Sequence, residues 1–189
     1  MPPFRIVLAA GLLVASVAVT STPAQAEIAK LMTVCAGQLC PSFTLKLTPP
    51  KNWVEDAEAS KAQRLQVMVP RGKTFSTADA VMYVKVSVRR DTQELADFVR
   101  VSQERWREAV RDTKIVKQPD VERANGQVAF QVYRYENPSR PQQRFEAVSF
   151  SVDRDKDGNN FFVMVALTGM QKKPIDQAMK PYQAFLRAH

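Results

Sequence analysis

The sharpest chemical signal in the chain is Asp153-Arg154-Asp155-Lys156-Asp157-Gly158-Asn159. Three carboxylates at alternate positions, with a glycine for a tight turn, match the opening of a calcium loop. Calcium takes about six to eight oxygen ligands. Asp153, Asp155 and Asp157 would supply carboxylates, and the main-chain carbonyl of Asn159 would come next. There the pattern stops. The position for a bidentate glutamate is Met164, inside a strand-like stretch, and no helical pattern flanks the loop. The same residues also read as a solvated hairpin turn, with Asp157-Gly158 making the turn.

Cys35 and Cys40 are the only cysteines. Four residues separate them, whereas a thioredoxin-like pair has two. Two thiols do not complete a tetrahedral zinc shell, and the one histidine is His189, at the end of the chain. In an oxidising compartment such a pair closes on itself. The spacer Ala36-Gly37-Gln38-Leu39 is flexible enough to allow it. A structural Cys35–Cys40 disulfide is therefore expected.

Enzymatic chemistry finds little else to use. There is no internal histidine to act as a base, and His189 sits on a terminus of the kind that frays. Ser149 and Ser151 lack the glycines of a nucleophile elbow. The 6 glycines do not cluster into a phosphate-binding loop. A pair of acids brought together by the fold could cleave a glycosidic bond, but nothing in the sequence nominates one.

Binding has more candidates. Trp53 follows Pro49-Pro50 and precedes a polar stretch, where it serves as a core plug at a sheet edge or as a stacking platform. Tyr133 and Tyr135 alternate with Phe130 and Val132. With Arg134 and Arg144 they either line a surface patch or lie under a helix. A rim of Trp53 with Arg89, Arg90, Arg134 and Arg144 is the expected partner-binding surface.

The N-terminus has the parts of a secretory signal. Arg5 is the positive flank, Ile6 to Val19 is an apolar run of 14 residues, and Ala24-Gln25-Ala26 is a small-x-small cleavage site. The run is short for a bilayer core of about 30 Å. The expected organisation is a cleaved signal over 1–26, a lead-in with the disulfide over 27–41, and one domain over 42–189. The destination is the periplasm or the exterior. No later segment is apolar enough to span a membrane as a helix. The chain carries 27 basic and 19 acidic side chains. Without Arg5 the balance is 26 against 19, or +7. Outside the cytoplasm that charge favours an acidic protein or an anionic envelope component over nucleic acid.

Hydrophobic spacing supplies the elements that must position these residues. Phe43, Leu45 and Leu47 alternate, as do Leu65, Val67 and Val69, and then Met82, Val84, Val86 and Val88. Residues 54–62 read as a loop. Leu95, Phe98, Val99, Ser102, Trp106, Ala109 and Val110 then repeat at three and four, the period of an amphipathic helix with Trp106 in its stripe. Asp91 and Glu94 form a capping pair for its start. Four strand-like runs follow: Lys114 to Glu122, Val128 to Val132 after Asn125-Gly126, Val148 to Val152, and Phe161 to Leu167. The last is apolar on both faces and should be central and doubly covered. Ile175 to Leu186 form a terminal helix that Pro181 should kink or split. The fold class is α+β: a mostly antiparallel sheet of about seven strands covered by a long middle helix and a C-terminal helix.

This order resembles the PsbP-like superfamily, which includes the extrinsic PsbP subunit of photosystem II and the DcrB-type proteins. The resemblance lies in the strand Phe43 to Trp53 ending in Pro-Lys-x-Trp, the helix Leu95 to Val110, and Asn160 to Leu167 before a terminal helix. It spans nearly the whole of 42–189 as a pattern of elements. It implies an αβα sandwich and a non-enzymatic accessory or binding role, and it transfers no catalytic residue; no cofactor is expected beyond the calcium that the acidic loop could take. A calcium-dependent envelope or surface module is the alternative, and an enzyme of undetected type the second.

Overall fold

A computed structural model describes residues 27–189 apart from Ala36, Asp91 and Asn125. The side chains of Glu27 and residues 33–35 also lie outside the description. So do the expected secretory signal over 1–26 and the Asp91 half of the expected capping pair.

Seven strands form one antiparallel sheet: β3 (Trp53–Glu55), β4 (Gln66–Pro70), β5 (Val81–Val88), β6 (Lys114–Lys117), β7 (Gln131–Glu136), β8 (Phe145–Arg154) and β9 (Asn160–Gly169). Their spatial order is β3-β4-β5-β9-β8-β7-β6. β9 is therefore the middle strand, as its two apolar faces require. Phe161, Val163, Val165 and Leu167 point to one face and Phe162, Met164 and Ala166 to the other.

The helix α3 (Lys172–Ala188) covers the first face and α2 (Leu95–Ala109) the second. α3 buries Ile175, Ala178, Tyr182, Phe185 and Leu186. The Tyr182 hydroxyl lies 2.6 Å from Ser149 Oγ and 2.8 Å from the Val165 carbonyl, which fixes α3 to the two central strands. Pro181 lies inside α3 without splitting it.

Two expectations need correction. The middle helix is not the long one: α2 has 15 residues and α3 has 17. Residues 54–62 are not a loop. They hold most of β3 and the helix α1 (Ala57–Gln63), capped by Asp56, whose Oδ1 accepts from Ala59 N at 3.0 Å. The lead-in over 27–41 is built of strands. β1 (Glu27–Cys35) pairs with β2 (Gln38–Lys46) as a separate two-stranded ribbon. Ile28 and Leu45 root this ribbon in the α3-side core, while Leu31, Met32 and Leu39 are exposed.

α2 also starts differently from the sequence expectation. Its N-cap residue is Glu94, which makes no side-chain cap bond.

Candidate functional site: a cleft between α2 and the sheet

α2 meets the sheet through two aromatic pillars. Near its start, Phe98 stacks on Phe162, with ring centroids 4.2 Å apart and planes 8° from parallel. Near its end, Trp106 meets Tyr135 edge-on at 6.4 Å. Phe98, Ser102 and Trp106 recur every four residues and share one helix face. The pillars are about 12 Å apart along the axis at 1.5 Å per residue. Ser102 between them is too small to fill the space to the sheet. The result is a cleft of about 760 Å³. Its floor is Val67, Tyr83, Val148, Phe150 and Met164, and its roof is Phe98, Val101, Ser102 and Trp106. Lys85, Asp97 and Arg105 also line it.

The floor carries one group that an apolar surface should not. Glu146 is 2% exposed. Its register partner across the sheet is Thr168, which is also buried and also lines the cleft. Glu146 Oε2 accepts from Asn137 Nδ2 at 3.0 Å. Asn137 is itself held by every polar atom of its amide. Nδ2 also donates to the Gln143 carbonyl at 2.7 Å, while Oδ1 accepts from Trp106 Nε1 at 3.1 Å and from the Thr113 hydroxyl. The helix pillar Trp106 thus reaches the acid through Asn137.

Glu146 Oε1 and Thr168 Oγ1 are both buried and neither has a hydrogen-bond partner among the described residues. Burial pushes the Glu146 carboxyl up to about 7. The bond from Asn137, the nearby hydroxyls of Thr168 and Tyr83, and the more distant charge of Arg140 offset only part of that cost. Burial and the neighbouring carboxylate likewise raise the Tyr83 hydroxyl above its ordinary value. Arg140 makes no ion pair with Glu146. Its guanidinium sits over the Trp106 ring, 5.2 Å from the centroid.

Sequence reasoning missed Glu146, although a signal exists. It stands in phase with Val148 and Phe150, so a strand with those residues inward must bury an acid as well.

The residues singled out from the sequence lie elsewhere. Trp53 is 7% exposed and plugs the α3-side core from the edge strand β3. The four arginines do not form one rim with it. Arg89 and Arg90 follow β5 at the end of the sheet where Asn160 begins β9. Arg89 N donates to the Asn160 carbonyl at 2.9 Å, and its guanidinium lies over Phe162. Arg144 is at the opposite end, over Phe145. Arg134 is paired with Asp176 of α3 at 2.7 Å. Tyr135 is buried against the α2-side core and Tyr133 packs edge-on against Phe150, so this tyrosine face lies under the helix.

The acidic run is the β8–β9 hairpin, and the carboxylates of Asp153 and Asp155 are used within the protein. Asp153 Oδ2 pairs with Arg123 Nη2 at 3.2 Å, and its Oδ1 accepts from Arg154 N at 2.9 Å. Asp155 Oδ1 accepts from the amides of Asp157 and Asn159 at 3.0 and 2.8 Å, and its Oδ2 accepts from Asn159 Nδ2 at 2.8 Å. These bonds, led by the Asn159 side chain, lower the Asp155 pKa. Gly158 closes the turn at φ +84°, in the left-handed region that favours glycine. No group of three or more His, Cys, Asp or Glu side chains suited to a metal occurs among the described residues.

His189 is not frayed. Its ring is buried against Phe185, its Nε2 lies 3.2 Å from the Thr48 carbonyl, and its main-chain oxygen accepts from Arg123. Burial lowers its pKa.

The disulfide expectation involves the Cys35 side chain, outside the described residues. The backbone register sets Cys35 opposite Gln38 and Cys40 opposite Thr33, so the two are diagonal neighbours on the ribbon. No helix among the described residues is long and apolar enough to cross a membrane.

No family model matches the chain, and no curated protein matches it.

Proposed function

We propose that this chain is a binding protein without chemistry of its own, and that the cleft between α2 and the sheet is its binding site. The observation that carries this reading is the cleft itself. Its volume of about 760 Å³ falls in the range of small-molecule sites, and its floor and roof are mainly apolar and aromatic, with polar side chains such as Gln63, Lys85, Asp97, Arg105 and Gln143 also lining it. Trp106 lines it and Trp53 does not, so one of the two tryptophans reports on its contents.

The donor-free apolar probe diphenylhexatriene tests the reading. It should fluoresce on binding the full chain and quench Trp106. Ser102→Phe fills the gap between the pillars and should abolish the signal while leaving the circular dichroism unchanged. A probe signal that survives Ser102→Phe, or no signal from the wild type, would refute the cleft as a site. Glu146 also has the raised pKa of a general acid or base. Turnover in a hydrolase or transferase screen that disappears with Glu146→Gln would establish an enzyme instead.

The wider setting rests on the sequence. The secretory signal pattern supports export to the periplasm or beyond. The order of elements supports a PsbP-like accessory role, and the charge of +7 expected after cleavage supports an acidic or anionic partner. Cys35 and Cys40 form a disulfide in this setting. Mass spectrometry of the native protein checks both points: an intact Met1 would sink export, and two alkylatable thiols would sink the bridge.

A further inference from the structure

We infer that the ligand of this cleft carries a hydrogen-bond-donating head on an apolar body, an ammonium above all, and that Glu146 Oε1 and Thr168 Oγ1 receive it. The inference rests on the cleft being the binding site, and it names the chemical class that site selects.

Two buried polar oxygens, a carboxylate and a hydroxyl, face each other across β8 and β9, and neither makes a hydrogen bond of ordinary length and angle among the described residues, although the Thr168 and Tyr83 hydroxyls lie near enough to act on the carboxyl. A buried polar atom without a partner is costly, and native proteins leave few of them. Both residues line the cleft, so an occupant can reach what the protein leaves open. The acid's other oxygen is tied to Asn137, which is tied in turn to Trp106 of the helix roof. The carboxylate is thus held in place before any ligand arrives.

The charge argument selects a donor over an acceptor. Glu146 has no cation in contact, because Arg140 is engaged on the face of Trp106. An ammonium would provide the missing ion pair, and its three protons could serve Glu146 Oε1 and Thr168 Oγ1 together. A hydroxyl supplies one proton and no charge. A carboxylate or phosphate would meet a like charge in a dry site. Lys85 and Arg105 line the cleft along with Asp97, so the lining as a whole does not favour a cation. The net charge of the chain, +8, opposes one. A preference for amines would therefore come from the floor of the cleft.

Competition against bound diphenylhexatriene decides the point, using decylamine, decanol and decanoate on the full chain. At about pH 8, where Glu146 is mostly ionised, decylamine should displace the probe at about ten-fold lower concentration than decanoate, with decanol between them. Glu146→Gln should bring the three within about two-fold of one another while the probe still binds. Thr168→Val gives a second reading if the glutamine variant does not fold, and should weaken decylamine but not decanoate. Decanoate equal to or better than decylamine, or a preference that survives both variants, would overturn the inference and leave the cleft reading intact. Failure of the probe to bind the wild type would overturn both.

Discussion

Glu146 on β8 and Thr168 on β9 stand opposite each other in the central strand pair, each buried with a polar atom left unpaired. Gln66, Ser149 and Ser151 are also buried polar residues of the sheet, but each of them has a hydrogen-bond partner, so this pair marks where stability and binding compete.

Its cost should be visible in the pH dependence of folding. Glu146 ionises at about 7 in the folded chain, against an ordinary 4.5. Below the ordinary value both states hold the proton and no difference arises. Between the two values the folded state keeps a proton that the unfolded state has released, so stability falls as pH rises, and it levels off above about 7. At 1.36 kcal/mol per unit the loss is about 3 kcal/mol. Asn137, Tyr83 and Thr168 face the carboxyl; the first and last do not ionise, and burial raises the Tyr83 hydroxyl away from that window, while Arg140 acts on the carboxyl only from a distance. His189, whose pKa burial lowers, contributes an opposite slope. The informative quantity is therefore wild type minus Glu146→Gln, from denaturant melts at acidic and alkaline pH. The variant should gain on the wild type by about that amount across the window. A constant difference between the two would show that Glu146 is not desolvated.

Arg123 is the second buried charge, and it ties three distant pieces together. It pairs with Asp153, donates to the Val152 carbonyl at 3.3 Å and holds the main-chain oxygen of His189. The side chains of Arg123 and Asp153 are 2% and 10% exposed. Burial pulls the Arg123 pKa down, and Asp153 offsets part of this. Removing only the acid leaves a guanidinium unpaired in a dry site, so Asp153→Ala should cost about 3 kcal/mol. Adding Arg123→Met removes the orphaned charge, and the double variant should lose less than the two single losses combined. Strict additivity in thermal melts would mean that the two residues act independently.

These two acids show where sequence reasoning reached and where it stopped. The central strand was legible, because Phe161 to Leu167 can bury both faces only with a layer on each side. Helix α2 was legible from its three-and-four spacing. Helix α1 was not: its seven residues bury no side chain, so it leaves no periodic trace beyond Asp56 at its cap. Of the ribbon, β2 was legible from the alternation of Phe43, Leu45 and Leu47, whereas β1 was missed, since beyond Ile28 its described side chains are exposed and show no inward alternation. Glu146 could have been read as inward from its phase with Val148. That it borders a cleft could not, because the cleft exists only where Ser102 on α2 falls between two pillars. Trp53 and the arginines were chosen by residue type, and type does not say which strand edge a side chain reaches.

The hairpin after β8 offers a last test, on the calcium reading. Three aspartates at alternate positions suit a cation only if their oxygens converge with nothing else to bind. Here Asp153 turns to Arg123, and both oxygens of Asp155 are taken by the backbone and side chain of its own turn. A cation would have to break that turn and the buried ion pair together. Millimolar calcium should therefore leave the melting temperature unchanged, because only a ligand that prefers the folded state raises it. Asp155→Ala should lower the melting temperature equally with and without calcium, since what it removes is the turn's own hydrogen bonding. A calcium-dependent rise that disappears in Asp155→Ala would show that the loop rearranges around an ion, and would restore the calcium-dependent module as the better description.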